Sequence, residues 1–304
     1  MKLIESKAEL LPWESGIEGV YKAIERAGRT CYKSEDKMTE DSAKGFVDRM
    51  IASKHAAMLE HGTVYLFFPQ DVEYEVFEKY VKNKFSFTFA VLVLKPRGFY
   101  VTTNLRVLQE NNWLDDLKYL CDSTKFHEKR YSFKFTCSRA IANELVRHRT
   151  FSFAQESQRY CNYSKDKFGK EITFIKPSWM DVDTGRITLS SGEEWKIGDI
   201  VVPDEPGYLS FIESCMQSGI IYFDILRDGC TPQQARDVLP NATKTEIVMT
   251  GFASDWRYLF DLRLFGKTGA PHPDMVDLME KAKAEAEKNG IWDDIMNCPS
   301  KFES

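Results

Sequence analysis

The sequence lacks the long apolar runs and the paired cysteines that mark several protein classes. No run of about 18 apolar residues occurs, so no transmembrane helix is predicted. The N-terminal segment contains Glu5, Glu9 and Glu14, which is unlike a secretory signal peptide. None of the seven cysteines lies in a Cys-x-x-Cys pair, and the five histidines form no His-Glu-x-x-His motif, so we predict no metal site. Scattered cysteines in an odd number are typical of a reducing compartment, and we expect a cytoplasmic protein.

A surplus of basic residues is also absent. The chain of 304 residues has 41 Lys and Arg against 46 Asp and Glu, which gives a net charge of −5. Non-specific binding of nucleic acid needs a basic surface that displaces counterions, so we expect neither a nucleic acid nor a membrane as partner. A content of 43% hydrophobic and 13% aromatic residues is sufficient for a sizeable buried core.

The hydrophobic spacing predicts an α+β fold. Helical spacing occurs at 14–28, 41–54, 105–121, 207–228, after Ser254 and from Pro273 to Asn289. Strands are predicted at 63–68, 85–94 and 131–137, and residues 165–205 have the Gly and Pro punctuation of short strands and turns. We predict a single domain over residues 1–304, with a division into two domains as the alternative.

The segment Ser138–Ser164 carries the densest group of potential ligand-binding side chains. A helical wheel that starts at Ile141 places Arg149 in the middle of the apolar face. Because an unpaired buried guanidinium is costly, either the helix ends near His148 or an anion holds Arg149 inside. Both alternatives make Arg147-His148-Arg149 a cluster of hydrogen-bond donors at a helix end.

A polar stretch follows this cluster directly. Residues 152–160 show little helical or strand periodicity, and we predict a loop. A donor cluster followed by a polar loop is typical of a site for a phosphorylated, hydrogen-bonding ligand. A solvated basic surface patch is the alternative interpretation of the three residues taken alone.

Five ordered segments of the sequence resemble one known family. Arg147-His148-Arg149, seven further residues and then Ser157 is similar to the RHR-x7-S signature of flavin-dependent thymidylate synthases. The other segments that resemble this family are Arg29-Thr30-Cys31-Tyr32, His55 to Glu60-His61, Ala235-Arg236 to Leu239-Pro240, and Asp255-Trp256 to Leu262-Arg263. These segments occur in the family's order over most of the chain.

The resemblance implies a fold and a reaction. It implies an α+β domain with a mainly antiparallel sheet flanked by helices, and it leaves residues 70–130 and 176–206 as probable insertions. The implied reaction is the reductive methylation of dUMP to dTMP, with FAD as cofactor, NADPH as reductant and methylenetetrahydrofolate as one-carbon donor. A homotetramer with shared active sites is also implied.

The resemblance also implies individual roles. The residues that match flavin-binding positions are His55, Ala57, Glu60, Arg147, His148, Arg149, Gln155, Ser254 and Tyr258. The residues that match dUMP-binding positions are Glu144, Arg147, Gln155, Glu156, Ser157, Gln158, Arg159, Arg236 (from a neighbouring subunit) and Arg263. Arg263 is the implied catalytic residue, which polarises the uracil ring. Ala154, Phe252, Ser254 and Tyr258 differ from residues common in the family at flavin-contacting positions.

No side chain is marked by the sequence as a nucleophile. Cys161 lies near the motif but has no base fixed beside it, and Ser157 has no evident general base. Two other classes of protein stay open from the sequence. A nucleotide-binding protein without catalysis is opposed by the complete motif and by Arg263, and an RNA-binding protein that uses residues 147–163 is opposed by the net acidity.

Overall fold

A computed structural model of the chain describes residues 1–71, 74–93, 96–300 and 302. The strands in these ranges are β1 (Lys2–Ile4), β2 (Lys7–Leu10), β3 (Thr63–Pro69), β4 (Phe87–Val91), β5 (Gly98–Asn104), β6 (Arg130–Ser138), β7 (Ser152–Gln155), β8 (Thr173–Ile175), β9 (Gly185–Leu189), β10 (Trp195–Ile197), β11 (Ile200–Val201) and β12 (Lys244–Phe252). The helices are α1 (Gly16–Tyr32), α2 (Ser42–Ala52), α3 (Tyr74–Val81), α4 (Leu105–Glu110), α5 (Arg139–Leu145), α6 (Tyr208–Arg227), α7 (Pro232–Ala235), α8 (Ala253–Arg263), α9 (Pro273–Lys288) and α10 (Trp292–Met296).

The central sheet has the strand order β2-β6-β12-β7, and all of its pairs are antiparallel. The β6–β12 pair runs from Ser138 opposite Lys244 to Arg130 opposite Phe252. No strand was predicted from the sequence at Lys244–Phe252, and the presence of β12 corrects this expectation. Because seven consecutive residues of β12 are buried, its sequence has no alternation of polar and apolar side chains that would reveal a strand.

One face of the central sheet is covered by helices. Phe133 and Phe135 of β6 pack with Ile247 and Met249 of β12 and with Trp256 of α8, and all five side chains are fully buried. This packing fixes the place where β12 passes into α8, at which several of the predicted site residues lie.

A second, three-stranded sheet has the order β3-β5-β4, and its strands β4 and β5 lie in the segment 70–130 that was expected to be an insertion, whereas β3 precedes it. The predicted strand 85–94 is observed as β4, and Leu94 lies outside the described residues. The predicted helix 105–121 is wrong in its middle, because α4 ends at Glu110 and a 3-10 helix follows at Leu114–Tyr119. Asn112 between them has a left-handed φ of 59°, a conformation that asparagine tolerates and that ends a helix.

The third sheet has the order β11-β10-β9-β1-β8, and its β1–β8 pair is parallel. The predicted short strands of 165–205 are confirmed here, and α6 packs against this sheet through Ile212, Cys215 and Tyr222. Mainly antiparallel pairing and an α+β fold are confirmed, with the strands divided among three sheets. Within the described ranges no helix has the length and apolar character needed to cross a lipid bilayer.

The region around the donor cluster resolves the alternatives that the sequence left open. Helix α5 begins at Arg139 after the N-cap residue Ser138, whose Oγ accepts the Ile141 N–H at 3.3 Å, and ends at Leu145, so Arg149 lies beyond it in an exposed position. The predicted loop at 152–160 is wrong for its first four residues, which form β7. The inward-facing residues of β7 are the small Ser152 and Ala154, so the strand gives no hydrophobic alternation.

Candidate active site

The C-terminal ends of α5 and α8 meet at a cluster formed by Glu144, His148 and Arg263, which we call the Arg263 cluster. Arg263 donates through Nε to Nε2 of His148 at 3.0 Å and through Nη1 to Oε2 of Glu144 at 3.2 Å. The Arg263 side chain is 25% exposed and that of Glu144 29% exposed. The catalytic arginine implied by the resemblance is therefore held in place by two residues of the predicted motif segment.

The protonation state of His148 follows from its surroundings. Burial of the ring, and secondarily the positive charge of Arg263, lower the pKa of His148 to about 4. The imidazole is therefore neutral at pH 7, and its Nε2 accepts the hydrogen bond while Nδ1 carries the proton. The carboxylate of Glu144 is then the anionic partner that orients the guanidinium of Arg263.

The two arginines of the motif differ from His148 in their exposure to solvent. Arg147 and Arg149 are exposed, whereas His148 is buried. Arg149 lies in the wall of a cavity of about 710 Å³. Neither arginine forms an ion pair or a side-chain hydrogen bond with any residue that the structure describes. Both guanidinium groups are thus open to an anionic ligand.

We call this 710 Å³ space the β12–α8 cavity, because Phe252 and Asp255 at the β12–α8 junction line it. Glu60, another predicted flavin-binding residue, also lines it and pairs with Arg106. Two of the predicted flavin-binding residues, Glu60 and Arg149, therefore share one cavity. Its cationic side chains, together with the rings of Phe85, Phe151 and Phe252, suit a ligand that carries both an aromatic ring system and phosphate groups.

Other predicted flavin-binding residues lie outside the wall of this cavity. The exposed His55 accepts or donates a hydrogen bond at Nδ1 with the Tyr32 hydroxyl at 3.1 Å, and Ala57 is exposed in the 3-10 helix Ala56–His61. Gln155 donates to Oγ1 of Thr245 at 3.3 Å. The single chain does not bring these residues to the cavity, and their roles stay predictions.

Ser254 and Tyr258 of α8 are not among the residues that line the β12–α8 cavity, whereas Asp255 is. The backbone N–H of Ser254 donates to Oε1 of Glu128 at 3.1 Å. The ring of Tyr258 stacks on that of Phe302, with a centroid distance of 5.5 Å. Their roles in binding the flavin stay predictions.

The predicted nucleotide-binding residues form a compact turn after β7. Glu156 is buried, accepts from Lys244 Nζ at 2.8 Å and accepts from the Tyr163 hydroxyl at 3.3 Å. Oε1 of the buried Gln158 accepts from Arg139 at 2.7 Å. These pairs hold the backbone of the turn, in which Ser157 stands partly exposed between two buried neighbours.

The remaining two predicted arginines are associated with α7. Arg159 donates through Nε to Oε1 of Gln233 at 3.0 Å. Helix α7 begins at Pro232 after the N-cap residue Thr231, and Thr231 and Gln234 form a capping box. Arg236 follows α7 directly and is partly exposed, with Asp237 3.9 Å away. The chain thus gathers Arg159 and Arg236 near one short helix.

Cys161 shows no sign of an activated thiol. Its side chain is 1% exposed, and burial, followed by the negative charge of Glu156, raises the pKa of the thiol to about 12. The thiolate is the nucleophilic form, so Cys161 is unreactive at neutral pH. The described residues also contain no group of three or more side chains placed to hold a metal ion.

Comparison with known families identifies the region that carries most of these residues. A sequence model of the family described as Thymidylate synthase complementing protein matches residues 102–289. The chain belongs to this family. The match to the thymidylate synthase complementing protein family includes the motif, Arg236 and Arg263, whereas His55, Ala57 and Glu60 precede it.

Curated members of related sequence carry a name that agrees with the prediction from the motif. The flavin-dependent thymidylate synthase of Mycobacterium avium (strain 104) is 24% identical over 259 residues, which cover 83% of this chain and 71% of the relative. The flavin-dependent thymidylate synthase of Mycobacterium tuberculosis (strain ATCC 25618 / H37Rv) is also 24% identical over 259 residues, with the same coverage. The predicted family and the predicted enzyme class are thereby confirmed.

Two solved structures are similar to the chain, and both are of the UMP/dUMP methylase PolB from Streptomyces cacaoi. The structure bound with 5-Br dUMP has a TM-score of 0.42 and 17% identity and covers 94% of this chain and 93% of that one. The structure bound with 5-Br UMP has a TM-score of 0.43 and 16% identity, with 97% and 95% covered. Because both TM-scores are below 0.5, the assignment of the α+β fold rests on the helices and strands of the chain itself and not on these two structures.

In this member of the thymidylate synthase complementing protein family, sequence reasoning missed two arginines of the β12–α8 cavity. Arg106 is the second residue of α4, and Arg130 is the first residue of β6. The only signal in the sequence was the position of Arg130 directly before the alternating strand 131–137. That position does not reveal that Arg130 turns inward to a cavity, because the facing wall comes from residues distant in the sequence.

Proposed function

We propose that the chain is a flavin-dependent thymidylate synthase that methylates dUMP to dTMP. FAD is the proposed cofactor, NADPH the reductant and methylenetetrahydrofolate the one-carbon donor. Family membership and the names of the curated relatives support the class of reaction. The observation that carries the proposal is the hydrogen bond of 3.0 Å between Arg263 and His148, which joins the motif to the implied catalytic arginine.

Arg263 is proposed to act on the uracil ring of dUMP. Methylation at C5 requires electron density at that carbon, and a guanidinium near N3 or O4 stabilises the negative charge that develops on the ring. Glu144 and His148 orient Arg263 in the free protein. No reorganisation is then required when the charge develops, which is the condition under which an electrostatic contact accelerates a reaction most.

The β12–α8 cavity is proposed to receive FAD. Bound FAD would supply the reducing equivalents of the methylation. Arg149 offers guanidinium donors to phosphate oxygens, and the rings of Phe85, Phe151 and Phe252 provide apolar surface for a flat ring system. Glu60 is held by its ion pair with Arg106, which fixes a carboxylate at the edge of the same space.

The phosphate of dUMP is proposed to bind near Ser157 and Arg159 of one chain. Arg159 is exposed and contacts Gln233 of α7, and Ser157 is partly exposed. We further propose a homotetramer in which Arg236 serves the site of a neighbouring subunit. All seven cysteines are free thiols, which supports a cytoplasmic location.

The proposed reaction uses no protein nucleophile. A covalent mechanism would need a thiolate or an activated hydroxyl next to C6 of the uracil. Cys161, the cysteine nearest to the motif in the sequence, has a pKa raised to about 12 by burial and is 1% exposed. Activation of dUMP therefore falls to Arg263 and to the cofactor.

The test is the purified protein's visible absorbance spectrum followed by a dUMP-to-dTMP assay. A flavin spectrum and dTMP formation that depends on NADPH, methylenetetrahydrofolate and added FAD would support the proposal. Reactions that lack one component at a time are the controls. A protein that binds dUMP and FAD but forms no dTMP with all components present would contradict it.

A further inference from the structure

Arg130 is a buried cation that forms no ion pair with a described residue, although the carboxylates of Asp255 and Glu60 lie near enough to favour its charged form. Its side chain is 6% exposed at the start of β6. Nη1 donates to the Glu60 carbonyl oxygen at 3.1 Å and to Oγ1 of Thr63 at 3.3 Å, and Nη2 donates to Oγ of Ser152 at 3.4 Å. Nε has no hydrogen-bond partner among the described residues.

This arrangement leaves a charge under-compensated. Burial lowers the pKa of Arg130, but a guanidinium stays protonated at any physiological pH. Neutral oxygens and the face of the Phe252 ring, 5.4 Å from the guanidinium carbon, offset only part of the loss of hydration. A buried ion is normally paired, so an unpaired one beside a cavity indicates that the cavity receives the counter-charge.

The β12–α8 cavity has the charge distribution that an anion requires. Arg130, Arg149 and Lys84 line it, and none of the three forms an ion pair with a described residue. Two of the three acidic residues in its wall, Glu60 and Glu110, are both paired with Arg106, and the third is the buried Asp255. The four cationic side chains of the wall therefore outnumber its three carboxylates, in a chain whose net charge is −5.

The two walls of the cavity come from different parts of the fold. Arg130, Arg149 and Phe252 belong to the central sheet and the turn before β7, whereas Lys84 and Arg106 belong to the segment that contains the β3-β5-β4 sheet and α4. A ligand in the cavity contacts both. The second wall is thus a part of the binding site and not only a surface addition.

We propose that the β12–α8 cavity binds a phosphate-bearing anion, with Arg130 as its buried guanidinium and with Lys84 and Arg106 in the facing wall. Where the ligand is FAD this inference rests on the proposed function, and the bound group is the diphosphate. A free nucleoside diphosphate has the same chemistry and is the second source of such a group. Arg130 is then a binding residue for the phosphates and not for the flavin ring.

The test compares ligands with and without phosphate on matched variants. FAD, riboflavin and ADP are titrated into the wild-type protein, Arg130→Met, Arg130→Lys and Lys84→Gln, with Arg186→Met as the control. Arg186 is exposed and paired with Glu171 on another sheet. Loss of a charge-assisted contact predicts that Arg130→Met raises the Kd of FAD and ADP by about 10-fold or more and leaves that of riboflavin unchanged.

The conservative variants separate binding from folding. Arg130→Lys should recover part of the affinity, because lysine keeps the charge and loses the bidentate fork. The exposed Lys84→Gln should fold normally and weaken FAD and ADP by a smaller factor. If all folded variants bind FAD as the wild type does, or if FAD and riboflavin weaken equally, the inference is wrong.

The outcome for this inference is separable from that for the proposed function. Arg130-dependent binding of FAD or ADP without any dTMP formation by the wild type would sustain the phosphate site and contradict the synthase. Normal dTMP formation by the wild type, with a Kd for FAD unaffected by Arg130→Met and Lys84→Gln, would support the synthase and contradict the phosphate site. Binding of ADP but not of FAD would assign the site to the free nucleotide.

Discussion

The Arg263 cluster and the Arg130 side of the β12–α8 cavity compensate a guanidinium charge in different ways. Arg263 is 25% exposed and has a carboxylate partner in Glu144 as well as the neutral His148. Arg130 is 6% exposed and has only hydroxyl and carbonyl acceptors. The first arginine is oriented by the protein itself, whereas the second forms no ion pair with a described residue.

The two arginines are therefore suited to two different functions, catalysis and ligand binding. An arginine that is oriented and partly neutralised in advance can stabilise charge that develops during a reaction. A buried arginine that forms no ion pair favours a ligand whose charge is present from the start, such as a phosphate. Contacts of the first kind affect kcat, and contacts of the second kind affect Kd or KM. Substitutions of individual residues test whether catalysis and ligand binding are divided between the arginines in this way.

The largest effect is expected for Arg263→Ala. Its kcat at saturating dUMP should fall by roughly 100-fold or more, the range seen when a preorganised donor to a developing charge is removed. Flavin reduction by NADPH in the absence of dUMP should survive, and it is the control measurement. Steady-state dTMP formation gives the answer, and normal turnover at saturating dUMP would leave Arg263 with a structural role only.

A smaller effect, on the KM for dUMP and not on kcat, is expected for Arg236→Ala. A phosphate carries the same charge in the ground state and in the transition state, so its loss removes uniform binding. The KM for dUMP should rise by about 10-fold, which is the equivalent of one charge-assisted contact, with little change in kcat. Arg227→Ala is the matched control, since Arg227 is exposed and paired with Asp224. A fall in kcat as deep as that of Arg263→Ala would remove the distinction between the two arginines.

The neutral state of His148 predicts a dependence of stability on pH. The unfolded chain takes up a proton on this histidine below about pH 6.5. The folded chain does not until about pH 4, because burial and Arg263 lower the pKa of His148. The free energy of unfolding should therefore fall as the pH drops from about 6.5 to about 4, by at most about 1.4 kcal/mol per pH unit for this residue.

His148→Gln keeps an acceptor for Arg263 and removes the titration. Urea unfolding at pH 7 and pH 5 should show a shallower decline for the variant than for the wild type. The buried His61, whose pKa is lowered to about 3 by burial and then by Arg130, contributes with the same sign in both proteins. Identical declines in the two proteins would mean that His148 is protonated in the folded state, and the tautomer assigned to it would be wrong.

The smallest effect on turnover is expected for Cys161. A buried thiol whose pKa is raised to about 12 is not a nucleophile at neutral pH, so Cys161→Ala should retain measurable dTMP formation. The variant loses some packing in the core near Tyr163 and Tyr222, which a thermal melt would detect. A covalent dUMP adduct on Cys161 in mass spectrometry would overturn the proposed chemistry.

The sequence predicted those parts of the molecule in which local pattern and structure agree. Helices α1, α2, α6 and α9 were predicted because each has one apolar face. An end of α5 before Arg149 was one of the two alternatives that the helical wheel left open. The family followed from the spacing of short segments. Both kinds of signal lie within a stretch of neighbouring residues.

The parts that were missed depend on residues distant in the sequence. Strand β12 is buried throughout and β7 has small inward residues, so neither shows a strand alternation. The partners of Arg130 are Glu60, Thr63 and Ser152, which approach it only in the folded chain. The separation of Ser254 and Tyr258 from the cavity likewise depends on how α8 is rotated against the sheet.

The central claim is that one group of arginines binds the cofactor while Arg263 acts on the substrate. The most direct test is the Kd of FAD, measured by equilibrium titration for Arg149→Ala and Arg263→Ala. Loss of a charge-assisted hydrogen bond worth about 1.5–3 kcal/mol predicts a Kd roughly 10-fold to 150-fold higher for Arg149→Ala. Arg263→Ala should bind FAD as the wild type does. A large loss of FAD affinity in Arg263→Ala, or none in Arg149→Ala, would contradict the account.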